Sequence, residues 1–97
     1  MAAELFYLHD VKQAASGQDV NINVYMTDEN GAHITSDSFI ELWNGVLMLY
    51  KGKGEYNGTY WTFTIPADVT MVLHGRYYYA ICNEEHDIND ITTLYII

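Results

Sequence analysis

Ninety-seven residues are enough for one domain, 1–97, and too few for two. Four Lys+Arg against thirteen Asp+Glu leave a formal charge of −9, which excludes a nucleic-acid surface able to displace phosphate counterions and excludes attraction to an anionic membrane. An apolar content of 49% with 14% aromatics excludes a disordered chain, and a single cysteine, Cys82, excludes an intrachain disulfide and a Cys-rich zinc site.

The first ten residues have no basic segment and no long apolar run, so no signal peptide is read and synthesis in a cytoplasm is expected. No stretch approaches the roughly 20 apolar residues that span a bilayer. Residues 4–15 fit either a short strand or an amphipathic helix through Leu5, Leu8, Val11 and Ala15. Phe6 and Tyr7 prefer sheets and favour a strand over 5–11. In 19–27, Val20, Ile22, Val24 and Met26 share one face while Asn21, Asn23 and Tyr25 share the other, the alternation of a half-buried strand. Asp28-Glu29-Asn30-Gly31 then supplies turn chemistry.

Segments 38–43 and 46–51 read as a hairpin around Asn44-Gly45, a pair suited to a type I′ turn. The glycines of 52–58 read as a flexible connection. It is not a phosphate loop, because it lacks the Gly-Lys-Ser/Thr ending and no helix follows. Asn57-Gly58-Thr59 has the form of a glycosylation sequon and reads as a turn. In 59–65, Trp61, Phe63 and Ile65 point one way and Tyr60, Thr62 and Thr64 the other. Pro66 ends that ladder, and 66–75 suits one or two helical turns with Pro early and Gly after the end. A strand over 76–82, an acidic loop over 84–90 and a last strand over 91–97 complete the chain. The pattern predicts an all-β, antiparallel sandwich of about seven strands with one short helical turn. Its core is expected to contain Val20, Ile22, Val24, Trp61, Phe63, Ile65 and Ile81.

Three features occur in order: a Gly17-Gln18-Asp19 step before an alternating strand, its ending in Thr27-Asp28-Glu29-Asn30-Gly31, and a Leu73-His74-Gly75-Arg76-Tyr77-Tyr78-Tyr79-Ala80-Ile81 run before a polar loop and a terminal strand. This layout, over roughly 10–97, resembles the immunoglobulin-like domains of tailed-bacteriophage virion proteins, such as the N-terminal domains of baseplate upper proteins and capsid or tail accessory proteins. Antibody-type hallmarks are absent, since the position two before Cys82 is Ala80 rather than Tyr. The resemblance implies a virion location, other virion proteins as partners, and multicopy or homo-oligomeric assembly. Because the chain ends at Ile97, a stand-alone decoration or accessory subunit is expected rather than a fibre or baseplate anchor.

No catalytic constellation is read, and no metal or other cofactor is expected. Glu84, Glu85, His86, Asp87 and Asp90 are the densest ligand cluster, but they lack EF-hand spacing and a turn glycine, so a solvated loop is expected. His9, His33, His74 and His86 are scattered. Cys82, within a strand, is expected to be inert. Trp43 and Trp61 are expected in the core rather than as stacking platforms. Tyr25, Tyr60 and Tyr78 alternate away from the expected core; they form either a protein-contact patch, a sugar platform, or ordinary scattered surface aromatics. The apolar end, 92–97, is expected to be an edge strand covered by a partner or a fold-back, with Leu94 and Ile96 among its contacts. The expected function is that of a non-catalytic phage structural subunit acting through protein contacts. The alternative is a carbohydrate-binding or adhesion module.

Overall fold

The computed structural model describes residues 2–97. In chain order the elements are β1 (Glu4–Tyr7), β2 (Gln13–Ala14), β3 (Val20–Thr27), β4 (Phe39–Asn44), β5 (Leu47–Lys53), β6 (Glu55–Tyr56), β7 (Trp61–Ile65), α1 (Ala67–Thr70), β8 (Gly75–Asn83) and β9 (Ile88–Ile96). They form two sheets, a four-stranded one ordered β1-β3-β7-β6 and a five-stranded one ordered β2-β9-β8-β4-β5.

The alternating segments behave as their patterns dictate. Val20, Ile22, Val24 and Met26 of β3 and Trp61, Phe63 and Ile65 of β7 are buried, facing Ile40, Leu42, Tyr79, Ile81, Leu94 and Ile96 of the second sheet. All seven residues expected in the core are there. The Trp61 indole N–H donates to the Ile34 carbonyl at 2.8 Å, so the largest core side chain also satisfies its polar atom.

Five details differ from the sequence reading. The strand expected over 5–11 breaks after Tyr7, and the chain crosses to the other sheet as β2. β2 pairs parallel with β9, so the sandwich is not wholly antiparallel. With the two-residue β6, these short pieces raise the strand count among the described residues to nine. The hairpin loop is Gly45-Val46, because Asn44 pairs with Leu47; Gly45 takes φ +59, which fits glycine at the first turn position of a type II′ loop. A bulge in the β4–β5 pairing, where the register shifts between Leu42 and Trp43, then restores the core-facing parity. Finally, 52–58 is not a free connector. Gly54 is buried against Phe63 where the chain steps from β5 to β6, and its N–H donates to the Ser38 carbonyl at 2.9 Å.

The ends of the sandwich are tied by buried polar groups. Asn83 donates to the Ser36 and Ser38 hydroxyls at 3.0 and 2.9 Å and accepts from the His86 N–H, joining two loops. Thr70, also buried, donates to the Gln18 carbonyl and accepts from the Gly17 N–H, fastening α1 to the loop before β3. Asp19 accepts the Ala67 N–H at 2.7 Å and so serves the helical turn from outside it.

Candidate interaction surface

Register decides which residues share the outer face of the five-stranded sheet. Trp43 pairs with Met48 on one side and Tyr78 on the other, and Tyr78 pairs with Thr93. The next row is Lys51, Glu41, Ala80 and Ile91, followed by Lys53, Phe39, Cys82 and Asn89. Trp43, Tyr78, Ala80 and Ile91, with Glu41, Gly45 and Asn89, line a groove of about 400 Å³. On this face Met48, paired with Trp43, is exposed at 44% and Ile91 at 63%; Val46 at the hairpin tip is exposed at 98%, while Leu47, paired with Asn44, is exposed at 61% on the other side of the hairpin. Met48, Trp43 and Tyr78 in one row and Ile91 in the next thus share a face by register.

Polar contacts fix the groove walls. The Trp43 indole N–H donates to Glu41 Oε1 at 3.2 Å, and Glu41 also meets Lys51 Nζ at 3.8 Å. Arg76 donates to the Tyr78 hydroxyl at 2.9 Å and lies over its ring. Lys51 lies 4.9 Å from the centre of the Phe39 ring. The cationic side chains on this face therefore stand against aromatic or acidic neighbours. Cys82 faces outward here rather than inward, and burial together with the Glu41 carboxylate pushes its thiol up to about 11. A thiol held protonated is a poor nucleophile and a poor metal ligand.

The three tyrosines do not form one patch. Tyr25 and Tyr60 meet edge-to-face at 6.2 Å on the outer face of the four-stranded sheet, where Phe6 pairs with Tyr25. That face is otherwise a ladder of Asn and Thr, with Thr62 donating to Asn23 and Thr64 to Asn21. Tyr78 belongs to the opposite face of the sandwich. Leu94 and Ile96 are corrected outright: both are buried in the core, and β2 covers the edge of β9 beside Tyr95 and Ile96. Their parity along β9 turns them inward, so neither presents a contact surface. Trp43 is likewise not a core residue. Sequence reasoning missed the groove because β4 and β8 carry apolar residues at both parities, Phe39/Trp43 against Ile40/Leu42 and Tyr78/Ala80 against Tyr77/Tyr79. The signal was that two-sided apolarity.

In the acidic loop, His86 Nδ1 lies 3.3 Å from Glu29 of the loop after β3, and Asp87 adopts φ +54. Asp28 accepts the N–H groups of Asn30 and Ala32, and those bonds hold its carboxyl below the ordinary carboxylate value. Among the described residues, no group of three or more His, Cys, Asp or Glu is placed to hold a metal ion.

Near the start of β8, the Tyr77 hydroxyl donates to the His74 carbonyl at 3.0 Å and accepts the His74 N–H at 3.2 Å. This is the geometry of the tyrosine corner of immunoglobulin sandwiches. Counting two residues back from Cys82 could not find it, because Tyr79 and not Cys82 occupies the inward position that follows. Solved structures agree with that topology. An engineered protein superposes with a TM-score of 0.67 at 12% identity, covering 98% of this chain and 20% of the other. A β-glucosidase from Listeria innocua in complex with glucose gives 0.66 at 10%, covering 97% and 16%. Tandem immunoglobulin domains of titin give 0.54 at 13%, covering 100% and 50%. The fold is immunoglobulin-like. The chain spans half or less of each of these structures. No protein-family model and no curated protein matches the sequence.

Proposed function

We propose that this immunoglobulin-like domain is a non-catalytic binding module that docks a protein partner on the outer face of its five-stranded sheet. The observation that supports this is the groove of Trp43, Tyr78, Ala80 and Ile91, with exposed Met48 beside Trp43 on the same face and exposed Val46 at the hairpin tip. An aromatic anchor in a depression, flanked by exposed aliphatic residues, is the make-up of an interface centre. The finer reading, a virion-attached accessory or decoration subunit with other virion proteins as partners, rests on the sequence resemblance set out above. Tyr78 stays in the proposed interface, while Tyr25 and Tyr60 on the opposite face are proposed as a separate, lesser contact.

One observation favours a carbohydrate-binding module instead: the groove sets Trp43 and Tyr78 beside Glu41 and Asn89, aromatic faces next to polar groups. Against it, Glu41 is already engaged by Trp43 and Lys51, and the hairpin tip offers aliphatic area that a sugar does not use. The deciding experiment measures co-sedimentation of the chain with assembled phage particles and, in parallel, saturable binding on a glycan array. Trp43→Ala should weaken particle binding by about tenfold or more, the loss of one anchor residue, and Tyr25→Ala should do so far less. Unchanged particle binding by Trp43→Ala would refute the docking face, and glycan binding lost with Trp43 would establish the sugar reading.

A further inference from the structure

The edge expected at the chain end lies instead one step earlier on β9. In an antiparallel pair, successive residues point their N–H and C=O groups alternately to one side and the other. Tyr95 and Ile97 give their N–H groups to the Lys12 and Ala14 carbonyls, on the side away from β8. Asn89, Ile91 and Thr93 share that parity, so their backbone groups point to the same side. β2 pairs only with Tyr95 and Ile96, and among the described residues nothing supplies those three with a backbone partner there.

The other edges are blunted. β5 carries Lys51 and Lys53 and is kinked by the bulge opposite Leu42 and Trp43, while β2 and β6 are two residues long. The four-residue β1 begins at Glu4. Over 89–93, β9 has no Lys, no Pro and no bulge. Its single charge, Asp90, turns to the inner side, where the Tyr7 hydroxyl donates to it at 2.6 Å.

We propose that this edge is occupied by the same edge of a second copy of the chain, running antiparallel about a two-fold axis at Ile91. The register is self-complementary: Ile91 faces Ile91, Asn89 faces Thr93, and all three free N–H and C=O groups on each copy find partners. Asp90 faces Thr92, so no like charges stand directly opposite, and the two Asp90 carboxylates fall on a diagonal about 7–8 Å apart. The ladder ends where β2 begins. There the exposed Lys12, 4.0 Å from Asp10 of its own chain and with its carbonyl bonded to Tyr95, is brought up to the Glu84, Glu85 and Asp87 loop of the second copy. The result is one continuous sheet ordered β5-β4-β8-β9-β9-β8-β4-β5. It sets two Trp43–Tyr78–Ile91 grooves on one face, so a repeated partner would be gripped twice.

Sedimentation velocity of the full chain up to about 1 mM tests this, since a modest five-residue ladder is expected to bind weakly. Wild type should dimerise. Ile91→Pro should remain folded, because the N–H it removes is free in the monomer, and should weaken dimerisation by at least about tenfold. Ile91→Lys keeps the backbone donor, puts two cations across the axis, and should do the same; it decides the matter if the proline variant does not fold. Amide exchange at Asn89, Ile91 and Thr93 should slow with concentration while β5 amides do not. A strictly monomeric wild type, a dimer indifferent to both substitutions, or protection at β5 instead would overturn the pairing. Trp43→Ala should leave dimerisation unchanged, so failure of the docking face and failure of the pairing are separable.

Discussion

Tyr7 of one sheet donates a 2.6 Å hydrogen bond to Asp90 of the other, and also lies 3.2 Å from the Thr92 hydroxyl. The pair closes the side of the sandwich where β1 and β9 lie near each other without sharing a ladder. Burial, followed by the bond to Asp90, raises the Tyr7 phenol well above its ordinary value, and burial raises Tyr79 as well. A half-buried hydrogen bond to a carboxylate contributes about 1.5–3 kcal/mol, so Tyr7→Phe should lower urea-measured stability by an amount near the lower end of that range. The folded state holds these phenols protonated more tightly than the unfolded chain. Their contribution is therefore complete below pH 10.0, the ordinary tyrosine value, and is lost as pH rises above it. Denaturation midpoints measured from pH 8 upward should fall above about pH 10, and less steeply in Tyr7→Phe.

Gly54 gives the second prediction. A Cβ there would collide with the Phe63 ring, which is fully buried at the centre of β7 and cannot withdraw. Gly54→Ala should therefore cost about 1–3 kcal/mol, the usual penalty of overpacking, although the backbone at Gly54 is not in the left-handed region. Gly58→Ala makes a control, since nothing lies near its Cβ and its cost comes from φ +96 alone. Equal stability of Gly54→Ala and wild type would show that the corner yields.

How much of this was legible in advance depended on parity. β3 and β7 alternate apolar with polar, and their C-terminal ends and inner faces could be read directly, while β7 begins at Trp61, two residues after the expected start at Thr59. β4 and β8 are apolar at both parities, since each is covered on the inside by the core and lines the groove outside; period 2 then carries no sign, and Trp43 was assigned to the wrong face. Leu94 and Ile96 were misread for a different reason. An apolar, uncharged end looks like an edge, and only the two-residue β2, too short to show in any pattern, covers it. The Tyr77 corner was invisible for want of a cysteine at the position of Tyr79.

Cys82 supplies a chemical prediction. Its thiol sits on the outer face but is pushed up to about 11 from an ordinary 9.0, first by burial and then by the Glu41 carboxylate. At pH 8 only about one thiol in a thousand is then ionised, against about one in ten for a free cysteine. The hundredfold lower thiolate fraction is partly offset by the greater nucleophilicity of the more basic thiolate, so reaction with a disulfide reagent should be slowed by roughly tenfold or more relative to the unfolded chain, and Glu41→Gln should recover part of the loss. A reaction rate in the folded protein equal to that in denaturant would show the thiol to be unshielded.

Ile91 and Leu94 lie three residues apart on β9 and should respond in opposite ways. Leu94 is 0% exposed, packed between the sheets, and pairs with Tyr77 on the inner side. Leu94→Ala removes buried methyl groups and leaves a cavity, so it should cost about 2–5 kcal/mol in a monomer at any concentration. Ile91, 63% exposed, buries little in the monomer, and Ile91→Ala should change stability at low concentration by no more than about 0.5 kcal/mol. Raising the concentration separates the two further. A second copy across β9 would stabilise wild type by mass action and Ile91→Ala less, so a gap between their thermal midpoints should open with concentration. Leu94→Ala should stay below wild type at every concentration. If Leu94→Ala were neutral at low concentration and lost stability only at high concentration, Leu94 would be an interface residue after all, and the inward parity of β9 would be wrong.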